Sequence, residues 1–88
     1  MYKIIVLGQD YCPYCVKAKD LLKKIRKKKS VSSASYYSLD KYYKSPSSRA
    51  KIRKATKLAG NYGFIPIVII NDTFVGGYDK LYKFYKYL

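Results

Sequence analysis

The longest apolar run in the chain, Phe64–Ile70 (FIPIVII), constrains the fold more than any other stretch. It is far shorter than the roughly 18 apolar residues a membrane-spanning helix needs, and its β-branched content reads as a strand. A proline cannot donate to a sheet ladder, which places Pro66 at the beginning of that strand rather than in its middle. Asn71 and Asp72 then turn the chain into Thr73–Val75, so the two runs read as an antiparallel hairpin. Gly76 and Gly77 stop the hairpin. Asp79 can cap a last helix, with Leu81, Tyr85 and Leu88 as its buried stripe.

Upstream the same logic gives two more strands and two more helices. Tyr2–Leu7 is apolar and β-branched and ends at Gly8, which suits a buried first strand. Pro13 fits the first position of a helix, where its missing N–H costs nothing. Cys15, Ala18, Leu22 and Ile25 then share one face, with Lys17, Lys23, Lys24 and Lys27 off it. Ser30–Ser35 (SVSSAS) is a low-complexity, loop-like patch, and Tyr36–Asp40 (YYSLD) is a weaker strand candidate. In SPSSRAKIRKATKLAG, Ser45 can cap a second helix, Pro46 can open it and Gly60 can end it. The order β-α-β-α-β-β-α implies an α/β domain, a small mixed sheet with helices packed on its faces. Eighty-eight residues suit one such domain, residues 1–88, and the N-terminal apolar run is too short to read as a signal peptide or an anchor.

The charge is far from balanced: 19 Lys and Arg face five Asp, with no Glu and no His, for a formal net charge of +14. Such a chain attracts anions. Sixteen of the 19 are Lys, which also fits drift in an A/T-rich genome, such as that of a large DNA virus. The run KKIRKKK and the tyrosines among lysines in YDKLYKFYKYL could touch phosphates and stack on bases. Lys lacks the planar fork of Arg, however, so nucleic-acid contact is expected to be weak and non-specific at most.

Both cysteines of the chain, Cys12 and Cys15, fall within the stretch QDYCPYCVKAKDLL. A structural disulfide closing so small a loop would stabilise little. A structural zinc site wants four Cys or His ligands, and the chain has two Cys and no His, so a metal could bind only with borrowed ligands. A reactive dithiol is left. Cys12 falls where the first strand gives way to the helix, where its sulfur can accept hydrogen bonds from free N–H groups and feel the positive end of the helix dipole. Both favour thiolate. Cys15, nearly one turn on, should be more buried and less ionised, which makes Cys12 the attacking sulfur and Cys15 the resolving one.

Taken together, CPYC after an N-terminal strand, Ile-Pro before a later strand and Gly-Gly before a final helix resemble the dithiol glutaredoxins of the thioredoxin-like superfamily. The resemblance runs along nearly the whole chain: CPYC matches that family's active-site motif, FIPIVIIN its TVPxVFIN segment and FVGGYDKL its xIGGxDDL segment. It implies the thioredoxin-like fold with a four-stranded mixed sheet, and a glutathione-dependent thiol-disulfide oxidoreductase. Such an enzyme acts on glutathionylated or disulfide-containing proteins, with glutathione as co-substrate and without metal or nucleotide cofactor. It further implies a cis Pro66 facing Cys12, the backbone of Ile65 pairing with the cysteinyl part of glutathione, and Gly77, Tyr78 and Asp79 holding its γ-glutamyl end. Arg53 would meet the glycine carboxylate, and Tyr14 would flank the sulfur.

The chain departs from the family pattern in two places. Gln9 stands where relatives carry Lys, which keeps a polar contact without the charge, and Phe64 replaces the usual Thr. Three other readings stay open: a redoxin reduced by thioredoxin reductase, a glutathione-assisted iron-sulfur cluster carrier, and a nucleic-acid-binding module. Pro13 disfavours the cluster carrier, whose members carry a smaller residue there. A monomer in the cytoplasm is expected, or in the host cytoplasm or virion if the chain is viral.

Overall fold

The computed structural model describes residues 1–9, 11–39 and 46–88. Among these, the elements in chain order are β1 (Tyr2–Gly8), α1 (Pro13–Ile25), β2 (Val31–Ser38), α2 (Pro46–Ala59), β3 (Ile67–Ile70), β4 (Thr73–Gly76) and α3 (Tyr78–Tyr87). The strands form one sheet in the order β2-β1-β3-β4. β2 lies parallel to β1, whereas β1–β3 and β3–β4 are antiparallel.

β1 and β3 read as continuous apolar runs because both faces of the sheet are covered. Successive side chains alternate faces. Ile4 and Val6 of β1, with Val68 and Ile70 of β3, pack against Ala18, Leu21, Leu22 and Ile25 of α1 and Leu81 of α3. Leu7 of β1, with Ile67 and Ile69 of β3, packs on the opposite face against Ile52, Ala55 and Ala59 of α2. Two separate cores result, with α1 and α3 on one and α2 on the other. The expected apolar face of α1 is buried and gains Leu21, while Lys17, Lys23, Lys24 and Lys27 are exposed.

The hairpin turns where the sequence indicates. Asn71 and Asp72 both have positive φ, 51° and 63°, the conformation a two-residue turn of the primed type requires. Asn71 also ties this turn to β1: its N–H donates to the Lys3 carbonyl at 2.9 Å, and its Oδ1 accepts from the Lys3 N–H at 2.8 Å. α2 ends as expected at Gly60, whose φ of 62° lets its N–H reach back to the Thr56 and Lys57 carbonyls.

Two expectations need correction. The serine patch is no loop: β2 begins at Val31 and runs through it. The cause of the misreading is a bulge. Tyr2 pairs with Val31 but Lys3 pairs with Ser33, so Ser32 is an extra residue. Val31 and Ala34, three apart, are thereby both turned into the core shared with α1, and the period-two signal is lost from the sequence. Asp79 is not the cap of α3; Gly77 holds that position, with φ −103° and ψ −157°, and Asp79 lies in the first turn. The backbone becomes helical two residues earlier than Asp79 would need in order to cap it. Asp40 and Ser45 fall outside the described residues.

Candidate active site

Cys12 is the N-cap of α1, in extended conformation, and Pro13 follows as the first helical residue. The Cys12 N–H donates to the Gln9 carbonyl at 3.2 Å, and the Cys12 carbonyl accepts the first helical bond from Val16 at 3.0 Å. Strand end, tight turn and helix start together hold the first sulfur at the surface and the second one turn inward. Cys12 is half-buried and Cys15 is fully buried; both are free thiols.

The two sulfurs differ electrostatically. The Cys12 thiol is held below its ordinary pKa, chiefly by a hydrogen bond from the Cys15 side chain. Backbone hydrogen bonds at Cys15 and Tyr14 help, and partial burial opposes them. The Cys15 thiol is pushed up to about 11, first by burial and further by the neighbouring Cys12 side chain, against a backbone hydrogen bond at Gln9 and one from the Tyr36 side chain. The free amides at the start of α1 add to the Cys15 side-chain bond in lowering the Cys12 pKa.

Gly8, at the end of β1, makes this packing possible. A Cβ there would fall 2.7 Å from both the Cys15 Sγ and the Tyr36 hydroxyl oxygen. Only a glycine lets α1 approach β1 closely enough to bury the second sulfur. Gly8 was legible in the sequence as a strand terminator, not as a packing residue. Nothing in the sequence pattern pointed to Tyr36, because its strand was blurred by the bulge.

Beside the motif lies an open groove of about 310 Å³, lined by Tyr14, Tyr62, Phe64, Ile65, Pro66, Gly77, Tyr78 and Asp79. Six of the residues singled out from the sequence therefore come together on one surface. The Ile65–Pro66 peptide bond is cis. Tyr14 and Tyr78 form one aromatic wall, with ring centroids 6.0 Å apart, and Lys17 Nζ lies 5.2 Å from the Tyr14 ring centre. Tyr62 and Phe64 form the other, 5.7 Å apart, with Tyr62 backed by Phe74 at 4.9 Å.

The floor of the groove approaches the start of α3, whose first-turn N–H groups are available to an anion. A Cβ at Gly77 would come 2.8 Å from the Tyr62 hydroxyl, so a larger residue there would displace that side chain. Tyr62 is a groove residue that sequence reasoning missed; it lies in the connection between α2 and β3, where no helix or strand period marks it.

Gln9 and Arg53 are not among the residues lining this groove. Gln9 is half-buried and engages Cys12 through its carbonyl. Arg53 is exposed on α2 and borders a second depression with Leu39, Ile52, Thr56 and Lys57. Among the described residues no group of three or more His, Cys, Asp or Glu is placed to hold a metal ion, and no helix is long and apolar enough to cross a membrane.

Comparison with known proteins agrees with this geometry. The family model described as Glutaredoxin matches residues 3–75. None of the curated protein sequences matches significantly. Among solved structures, reduced glutaredoxin of Escherichia coli superposes with a TM-score of 0.68 at 22% identity, covering 97% of this chain and 94% of that one. The dithiolic glutaredoxin 2-C-Grx1 of Trypanosoma brucei brucei gives 0.64 at 27% identity, covering 97% and 78%. A glutaredoxin of Archaeoglobus fulgidus gives 0.61 at 25% identity, covering 94% and 85%.

Proposed function

Because the chain belongs to the glutaredoxin family and is a thiol-disulfide oxidoreductase, we propose that its reductant is glutathione and its substrates are protein–glutathione mixed disulfides and protein disulfides. The observation that carries this reading is the pairing of a half-buried sulfur of lowered pKa with a groove that ends at a helix start. Such a groove suits a small peptide that presents a carboxylate to that helix start.

In the one-thiol cycle the Cys12 thiolate attacks the glutathione sulfur of the mixed disulfide. The protein leaves as thiolate and Cys12 carries glutathione; a second glutathione attacks that disulfide, releasing oxidised glutathione and regenerating the Cys12 thiolate. In the two-thiol cycle Cys12 attacks a protein disulfide and Cys15 resolves the mixed disulfide. Two electrons pass from the dithiol to the substrate, and two glutathiones later return them.

On this reading the backbone of Ile65 beside Pro66 pairs with the cysteinyl part of glutathione, and Tyr14 flanks the sulfur. The amides of Gly77, Tyr78 and Asp79 receive the γ-glutamyl carboxylate, while Arg53 and Gln9 face the glycine end. The reaction itself calls for no metal or nucleotide cofactor. A soluble monomer in the cytoplasm, or in host cytoplasm or virion for a viral chain, fits this chemistry, since free thiols are its working state.

The test is a coupled assay on one glutathionylated protein, run once with glutathione and glutathione reductase and once with thioredoxin reductase. Turnover with glutathione well above that with thioredoxin reductase is the expected result. The reverse ranking would replace this reading with that of a thioredoxin-reductase-dependent redoxin.

A further inference from the structure

The buried sulfur poses a problem that the groove does not solve. To resolve a mixed disulfide, Cys15 must shed its proton and present a thiolate, yet its side chain has no exposure to water. The other groups around it decide whether that anion can form.

β1 and the residue after it contribute only main chain here, at Gly8 and Gln9. From α1 comes Cys12, whose sulfur is itself the atom under attack. From β2 comes Tyr36, which pairs in register with Val6 of β1 and so points its ring toward the start of α1. Its hydroxyl oxygen and the Cys15 Sγ both approach within 2.7 Å of the point where a Gly8 Cβ would lie. Lys19, one turn beyond Cys15 on the same helix, places its Nζ 5.4 Å from the Tyr36 ring centre. One helix face thus grips the tyrosine twice, by the sulfur at the hydroxyl and by the ammonium at the ring.

We propose that Tyr36 is a catalytic residue of the two-thiol cycle, its hydroxyl donating a hydrogen bond to the Cys15 thiolate as that sulfur attacks the Cys12 disulfide. This role rests on the two-thiol branch of the reading above. The Cys15 S–H bond breaks and its electron pair forms the S–S bond to Cys12. The Cys12–substrate S–S bond breaks, and the departing substrate sulfur takes up a proton, so that one proton and no net charge pass from Cys15 to the product thiol. Tyr36 keeps its own proton throughout. The sign of its effect agrees: the Tyr36 bond opposes the rise that burial imposes on Cys15.

The decisive variant is Tyr36→Phe, which removes the hydroxyl and leaves the ring for Val6, Gly8 and Lys19. Single-turnover reduction of a protein disulfide, followed by quenching, separates the first attack from resolution. Resolution should slow about tenfold, the loss of a hydrogen bond to a charged group worth about 1.5 kcal/mol. Its pH profile should move to higher pH, and the ratio of resolution to first attack, both read in the same quench, should fall. In a Cys12→Ser background, an NMR titration of the Cys15 Cβ should show the same upward movement in Tyr36→Phe. That readout would not move if the hydroxyl only filled space. Unchanged resolution and an unchanged Cys15 titration would overturn the role of Tyr36. If disulfide reduction by the unaltered protein proves independent of Cys15, the two-thiol branch itself falls and takes this role with it.

Discussion

Two thiols separated by two residues end up in opposite electrostatic states, and the cause is where each sulfur lies relative to the start of α1. Cys12 borrows hydrogen bonds from the helix's first turn, whereas Cys15 lies one turn in, behind Gly8, with burial as its dominant influence. Cys12→Ser should therefore abolish every thiol transfer. Cys15→Ser should retain deglutathionylation and lose most protein-disulfide reduction; assaying both substrates with both variants checks the assignment, and equal loss of deglutathionylation would refute it. The pH dependence of stability has a definite sign. Folding raises the Cys15 pKa from an ordinary 9.0 to about 11. Its contribution is complete below about pH 9 and is lost as pH rises toward 11, because the unfolded chain releases its proton first. Urea denaturation of the reduced protein across that range should show a steeper loss for the unaltered chain than for Cys15→Ala. The division of labour between the cysteines was legible in CPYC following a strand, because it depends on local helix geometry. Tyr36 and Tyr62 were not, because each reaches its site only through sheet register or a connection between elements.

β1 is the element on which the site's precision rests, and Gly8 is where that dependence can be measured. Gly8→Ala would drive a methyl group against the Cys15 sulfur and the Tyr36 hydroxyl. Overpacking of this kind costs about 1–3 kcal/mol. Chemical denaturation should show that loss, and Cys15 should become more accessible to alkylation as α1 moves away from the sheet. Most element identities could be read from sequence for a physical reason: β1 and β3 are buried on both faces and α1 on one, so their apolar patterns survive intact. Asn71-Asp72 and Gly60 were equally readable, since positive φ selects few residue types. Where the reading failed, a local geometric detail intervened. The bulge at Ser32 broke the alternation of β2, and the cap of α3 proved to be Gly77 rather than the nearby acid.

For the molecule as a whole, a net charge of +14 surrounds a reaction whose proposed co-substrate is an anion. Added salt screens such attraction over about 8 Å at physiological ionic strength. Turnover of glutathionylated substrates should thus fall as salt rises, while reaction of Cys12 with a neutral disulfide stays nearly constant; parallel salt titrations of the two rates provide the check. The groove itself is built across a boundary. Tyr78 packs on the core shared by α1 and α3, and Tyr62 on the core shared with α2, so each wall answers to a different half of the hydrophobic interior. The groove is a suture between two independently packed layers. A ligand lodged in it would stitch those layers together and raise the stability of the chain in proportion to the logarithm of its concentration over its Kd. Cavities cut into the two layers should then have different signatures. Leu22→Ala and Ile52→Ala would each cost roughly 2–5 kcal/mol. Loosening the first layer should disturb cysteine reactivity as well, whereas loosening the second should leave the thiols intact and slacken only the grip on glutathione. Alkylation rates and glutathione affinity, measured side by side on the two variants, would tell whether chemistry and recognition have been assigned to separate halves of so small a fold.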